Sequence, residues 1–205
     1  DAILKMYRQY SCIDNRISRK VFEKISTTGR NIMSNNNTTT SKSFTAMDLV
    51  KKAEDFIAKF DLDTACKFYE RALQMEERND ESSASALRVE IMDAFAAVQL
   101  ERGDVDTAEK LLRASISVAP NKGYEKYMYM AQIVGGHEGV KFTLKGIELA
   151  NETGDRKPVS ASMYCSLAEI YMTDLSNEKD AEQKCEFYVQ KAVEMDGKFG
   201  IEPIQ

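Results

Sequence analysis

The residues best able to do chemistry are few, and their spacing suits none of the usual reactions. Four cysteines occur, Cys12, Cys66, Cys165 and Cys185, and no two form a Cys-x-x-Cys pair. His137 is the single histidine. A zinc site needs several Cys or His ligands at close spacing, so no metal is expected. The cysteines read as reduced thiols serving as small apolar residues at helix contacts. Ser160 and Ser166 have no histidine at a suggestive spacing, and His137 reads as a helix-start residue in a Gly-rich turn. Gly135-Gly136-x-x-Gly139 lacks the Lys-Ser/Thr and the preceding strand of a phosphate loop. Adjacent acids such as Glu76-Glu77 read as solvated helix ends. The expectation is no enzyme and no cofactor.

Charge offers a different chemistry, that of recognition. Residues 1–45 hold eight Lys/Arg against three Asp/Glu, a balance of +5. The rest holds the other 20 of 28 bases and 30 of 33 acids, a balance of −10. An acidic body attracts basic polypeptides and not nucleic acid. Apolar runs such as Phe95–Leu100 are short and flanked by charge, well below the roughly 20 residues of a membrane span. No signal peptide is legible at the start. A soluble chain is expected, with enough apolar residues (43%) for one continuous core.

The elements that must position these charges are helices. Met47, Leu49, Val50, Ala53, Phe56, Ile57 and Phe60 recur at spacings of three and four. Asp61-Leu62-Asp63 breaks that face, with Asp63 a plausible cap for the next helix. Further helices are expected over Leu87–Glu101, Val105–Ala119, Gly123–Val134, His137–Asn151, Val159–Asp174 and Asp180–Asp196. Second helices carry a small residue at Ala65, Ala108, Gly139 and Cys185, and another seven positions on at Ala72, Ser115, Gly146 and Ala192. First helices match with Ala53, Ala96, Ala131 and Ala168. Small residues let helix axes approach closely. The pattern resembles the tetratricopeptide repeat, a helix-turn-helix unit of about 34 residues. Repeats are expected near 46–80, 83–120, 123–151 and 158–196, stacked as an all-α superhelix of right hand. They are irregular, and the tryptophan that often opens the motif is absent.

Residues 1–31 form a basic segment that could be helical through Ile3, Met6, Tyr7 and Tyr10, then Ile17, Val21, Phe22 and Ile25. The polar run Ser34–Ser41 marks 32–45 as a disordered linker. Tethered to an acidic body, the basic segment is expected to pack on the array, to occupy its groove, or to stay disordered. Ile201–Gln205 reads as the start of a fifth repeat.

Tyr124–Gln132, a Gly-containing turn and Val140–Glu148 resemble one fungal-type family. So do Cys165–Leu175 and Asp180–Glu186, and Ala168–Glu186, with its Thr173-Asp174-Leu175 insertion and Asp180-Ala181-Glu182-Gln183-x-Cys185-Glu186, is the most specific part. The family is that of dedicated assembly chaperones for large-subunit ribosomal protein four, and the resemblance covers about 46–205. Residues 1–31 depart from the family's start. The resemblance implies capture of a basic loop of that newly made protein by a monomer that works in cytoplasm and nucleus.

In the tetratricopeptide scheme, positions 2, 5, 9 and 12–13 of each first helix face a concave groove. These are Met47, Val50, Glu54 and Ile57 in the first repeat. The second supplies Glu90, Asp93, Ala97, Leu100 and Glu101. The third supplies Glu125, Met128 and Gln132, and the fourth Ser162, Cys165, Glu169, Met172 and Thr173. None is Lys or Arg, which suits an Arg/Lys-rich extended peptide with apolar anchors. A clamp for the acidic tail of a heat-shock chaperone would need the opposite sign. A generic scaffold for another multiprotein complex stays open.

Overall fold

The computed structural model describes residues 44–79, 86–152 and 157–196. The basic segment 1–31, the linker through Ser43 and the fifth-repeat start at 201 lie outside the described residues. The described part falls into two compact units, one ending at Pro120 and the other beginning at Asn121. Among the described residues there is no strand, and no helix is long and apolar enough to cross a membrane.

The first unit holds α1 (Ala46–Ile57), α2 (Leu62–Asn79), α3 (Ala86–Glu101) and α4 (Val105–Val118). Three of these starts have a legible cause. Thr45 and Asp48 form a reciprocal capping box at α1, Asp48 N–H donating to Thr45 Oγ1 at 3.2 Å and Thr45 N–H to Asp48 Oδ2 at 3.0 Å. Asp61 caps α2 by accepting the Thr64 N–H at 3.1 Å, and Asp104 caps α4 by accepting the Thr107 N–H at 3.1 Å. The cap of α2 is thus Asp61 and not Asp63. The helix begins two residues earlier than expected, which moves Asp63 into the first turn, where it pairs with Arg102 at 2.7 Å. Hydrogen bonds from the Thr64 hydroxyl and then its N–H hold the Asp61 carboxyl below its ordinary range.

α1 packs on α2, α2 on α3 and α3 on α4. Leu49, Ala53, Ile57, Ala65, Tyr69, Ile91 and Phe95 form the continuous core. Burying each large aliphatic side chain contributes about 1.5–3 kcal/mol. Phe56 stacks on Phe68 at 5.4 Å, and Tyr69 on Phe95 at 6.0 Å.

The turns α1–α2 and α3–α4 share one backbone. Asp61 N–H donates to the Phe56 carbonyl at 3.0 Å, and Asp104 N–H to the Gln99 carbonyl at 2.9 Å. The residue before each acid must then adopt a left-handed conformation. In the second turn it is Gly103, φ 81°; in the first it is Phe60, φ 60°, whose ring is 92% exposed. A side chain in that region costs about 1 kcal/mol relative to glycine. Phe60→Gly is therefore expected to stabilise the chain by about 1 kcal/mol and raise the thermal midpoint by several degrees. A midpoint that falls would show that the ring packs in a way its exposure does not suggest.

The second unit holds α5 (Glu125–Val134), α6 (Gly136–Glu152), α7 (Lys157–Met172) and α8 (Ala181–Asp196). α5 packs on α6, α6 on α7 and α7 on α8. The α5–α6 connection is one residue shorter than the Gly135-Gly136 link left between the expected helices. Gly135 alone reverses the chain, at φ 59° and ψ −167°, and α6 starts at Gly136. All twelve small residues singled out by spacing are buried, in both units. Gly139 shows why. A Cβ there would sit 3.0 Å from the Ala131 carbonyl oxygen of α5.

Candidate functional site

In the first unit the expected groove residues lie along α1 and α3. Met47, Glu90 and Glu101 are exposed, and Val50, Glu54, Asp93, Ala97 and Leu100 are half-buried. Ile57 is a correction. It is 4% exposed and belongs to the core, because the last turn of α1 rotates it onto α2. Glu54 is chemically distinct. Burial, and after it the Asp55 charge, push its carboxyl above the ordinary 4.5. Behind it, the fully buried Tyr69 phenol is raised by burial first and then by the Glu54 charge. An ionised Glu54 is therefore held at a cost, which a cation arriving from solution would relieve.

In the second unit the structure brings several expected positions to one cavity of about 410 Å³. Met128, Gln132, Glu169 and Thr173 all line it. Met128 is only 8% exposed, so it serves as cavity floor and not as an open groove surface. Met163 and Ile170 complete the apolar floor, and Ser166, Thr143 and Asp174 the polar wall. Glu125 and Cys165 are half-buried and Met172 is 46% exposed, but none of the three lines the cavity. Ser162 is buried in α7.

A clasp shapes one edge of this cavity. The Gly136 N–H, at the start of α6, donates to Asp174 Oδ2 at 2.8 Å. Four residues further on, Glu178 lies 2.8 Å from His137 Nε2 and 3.2 Å from Lys184 Nζ. The Thr173–Asp180 insertion thus closes over the N-terminus of α6, where a carboxylate suits the positive end of the helix. His137 is a helix-start residue, as expected. The three described cysteines are Cys66 and Cys185, both buried, and the half-buried Cys165; Cys12 lies outside the described residues. Among the described residues no group of three or more His, Cys, Asp or Glu is placed to hold a metal.

Asp174, Ser166, Thr143, Met163 and Ile170 line the cavity without being among the expected groove positions. The signal for Asp174 was present, as an acid in an insertion opposite a Gly-Gly turn. The others come from second helices, or from first-helix positions outside the assumed groove register.

The chain is 35% identical over 116 residues to the "Probable assembly chaperone of rpl4" of Schizosaccharomyces pombe, a match over 51% of this chain and 34% of that protein. It spans about a third of the length of that curated relative. Among solved structures, the "Assembly Chaperone of RpL4 (Acl4)" superposes with a TM-score of 0.65 at 23% identity, over 76% of this chain and 65% of that one. Repeats described as tetratricopeptide-like, in a protein of the kinesin light chain type from Podospora anserina, superpose with a TM-score of 0.60 at 13% identity. That match covers 98% and 96% of the two chains. The fold is a tetratricopeptide-like helical repeat. No family model matches the chain. The resemblance expected from Tyr124–Glu148 and Cys165–Glu186 is met by a relative of the same description. Both first and second helices carry the buried small residues at their contacts, and Glu90 and Glu101 of α3 are exposed acids at the expected groove positions.

Proposed function

We propose that this repeat array is the client-binding part of a dedicated chaperone that captures a basic segment of large-subunit ribosomal protein four. The observation that carries the reading is the one-sided charge of the expected groove positions on the first helices. Glu54, Glu90, Asp93, Glu101, Glu125 and Glu169 stand among apolar positions, and no Lys or Arg shares the set. Similarity to an assembly chaperone of that ribosomal protein supports the choice of client. Capture is non-catalytic. It neutralises a cationic segment before assembly and shields its apolar anchors, and on this reading a monomer escorts the client from cytoplasm to nucleus.

Co-expression tests the reading. Ribosomal protein four made together with this chain is expected to stay soluble and co-purify with it. An equally basic, unrelated ribosomal protein is expected to precipitate. Equal rescue of both would favour a generic scaffold, and rescue of neither would remove the chaperone reading.

A further inference from the structure

Resting on the reading that the array captures a basic segment, we propose that the cavity of the second unit is an arginine pocket that seats one guanidinium side chain of that segment. Its volume of about 410 Å³ lies within the range of ligand-sized pockets, roughly 300–1,000 Å³. That is room for one long side chain and its flanking backbone. The floor is apolar, with Met128, Met163 and Ile170 all buried. Methionine adapts to the outline of an aliphatic stem, and an arginine stem lies along such a floor while its head keeps polar company.

The wall selects the head. Thr143 Oγ1 donates to the Gly139 carbonyl at 2.9 Å, and Ser166 Oγ to the Ser162 carbonyl at 3.3 Å. Thr173 Oγ1 donates to the Glu169 carbonyl at 2.9 Å, with Asp174 Oδ1 at 3.4 Å as a second acceptor. A hydroxyl has a single proton, so these three oxygens offer the cavity only lone pairs. Glu169 and Asp174 add carboxylates, and the Gly136 N–H at the rim is already directed at Asp174. Among the lining side chains, only the Gln132 amide keeps protons to donate.

A wall of acceptors with two carboxylates disfavours phosphate and carboxylate ligands and favours a cationic donor. Ser166, Glu169 and Thr173 follow one another at spacings of three and four, so their oxygens run along one face and not around one point. A planar guanidinium, with five donors in a fork, meets acceptors spread in this way. An ammonium concentrates three donors on one atom.

The test uses the 205-residue chain with ¹³C-methyl methionine, Met128 and Met163 being assigned through Met→Leu variants. Blocked tetrapeptides of arginine, lysine and citrulline are titrated in turn. The arginine peptide is expected to shift both methyl signals saturably. The lysine peptide should do so roughly fivefold more weakly, and the uncharged citrulline peptide not at all. Glu169→Gln is expected to weaken the arginine response on the order of tenfold, the loss of one charge-assisted hydrogen bond. Silent methyl signals, or an equal response to lysine or citrulline, would overturn the pocket whatever the variant does. The two readings fail separately. Silent methyls in a chain that still binds ribosomal protein four remove only the pocket. Shifted methyls in a chain that ignores that protein remove only the client.

Discussion

Gly135→Ala is expected to cost about 3 kcal/mol and to lower the thermal midpoint by on the order of 10 °C. Two effects add. At φ 59° and ψ −167° the backbone sits in a region essentially restricted to glycine, where a side chain costs about 1–3 kcal/mol. A Cβ there would also stand 2.5 Å from Asp174 Oδ2. Asp174 must then swing away and release the Gly136 N–H, a bond to a charged group worth about 1.5–3 kcal/mol. Gly136→Ala is the control. Gly136 also has a positive φ, 49°, but nothing stands within 4 Å of its Cβ position, so about 1 kcal/mol is expected. Equal midpoints for the two variants, measured by thermal melting, would mean that the Asp174 clasp contributes nothing.

Combining Glu54→Gln, Glu90→Lys and Glu101→Lys is expected to weaken capture of the basic client by about 3 kcal/mol, more than a hundredfold. The fold should survive. Glu90 and Glu101 are exposed, and reversing exposed charges contributes little to stability. Asp93 is left in place because its Oδ1 is shut off from water. Glu54 has its own signature. Burial raises its pKa above 4.5, so the folded chain favours the protonated form. The penalty for ionising it is absent below that ordinary value and fully present above the raised one. Glu54→Gln alone should therefore raise stability at neutral pH and leave it unchanged in acid, while weakening capture. A bound cation lowers the raised value again. Capture should accordingly tighten as pH rises through the window just above 4.5, with release of a proton. Calorimetry that finds no proton release in that window would assign Glu54 a purely structural role.

How much of this was legible in the residues varies by level. The helices and their small contact positions were, because a period of three and four is imposed by burial of one face. Ala53, Ala65 and Ala72 are fully buried, as their spacing required. Helix ends were less so. Asp61 and Asp63 are equally good caps by type, and only the backbone path out of α1, through a left-handed Phe60, selects Asp61. The candidate site was legible in its charge and not in its shape. Ile57 and Met128 occupy groove positions of the register, but the first packs into the core and the second into the cavity floor. The cavity depends on Thr143 of a second helix and Asp174 of an insertion, which no first-helix register includes.

On the proposed function, the array recognises a basic segment of ribosomal protein four through the acids at the groove positions of its first helices. Titration of the 205-residue chain with peptides tiling that protein, followed by calorimetry at 0.1 M and 1 M salt, tests it most directly. The Debye length falls from about 10 Å to about 3 Å between those two conditions. One basic, extended peptide is expected to bind at one-to-one stoichiometry, with an affinity that drops at least roughly tenfold at the higher salt and is mostly abolished in the triple variant. Binding of an acidic peptide, or a salt-independent affinity unaltered in the triple variant, would contradict it.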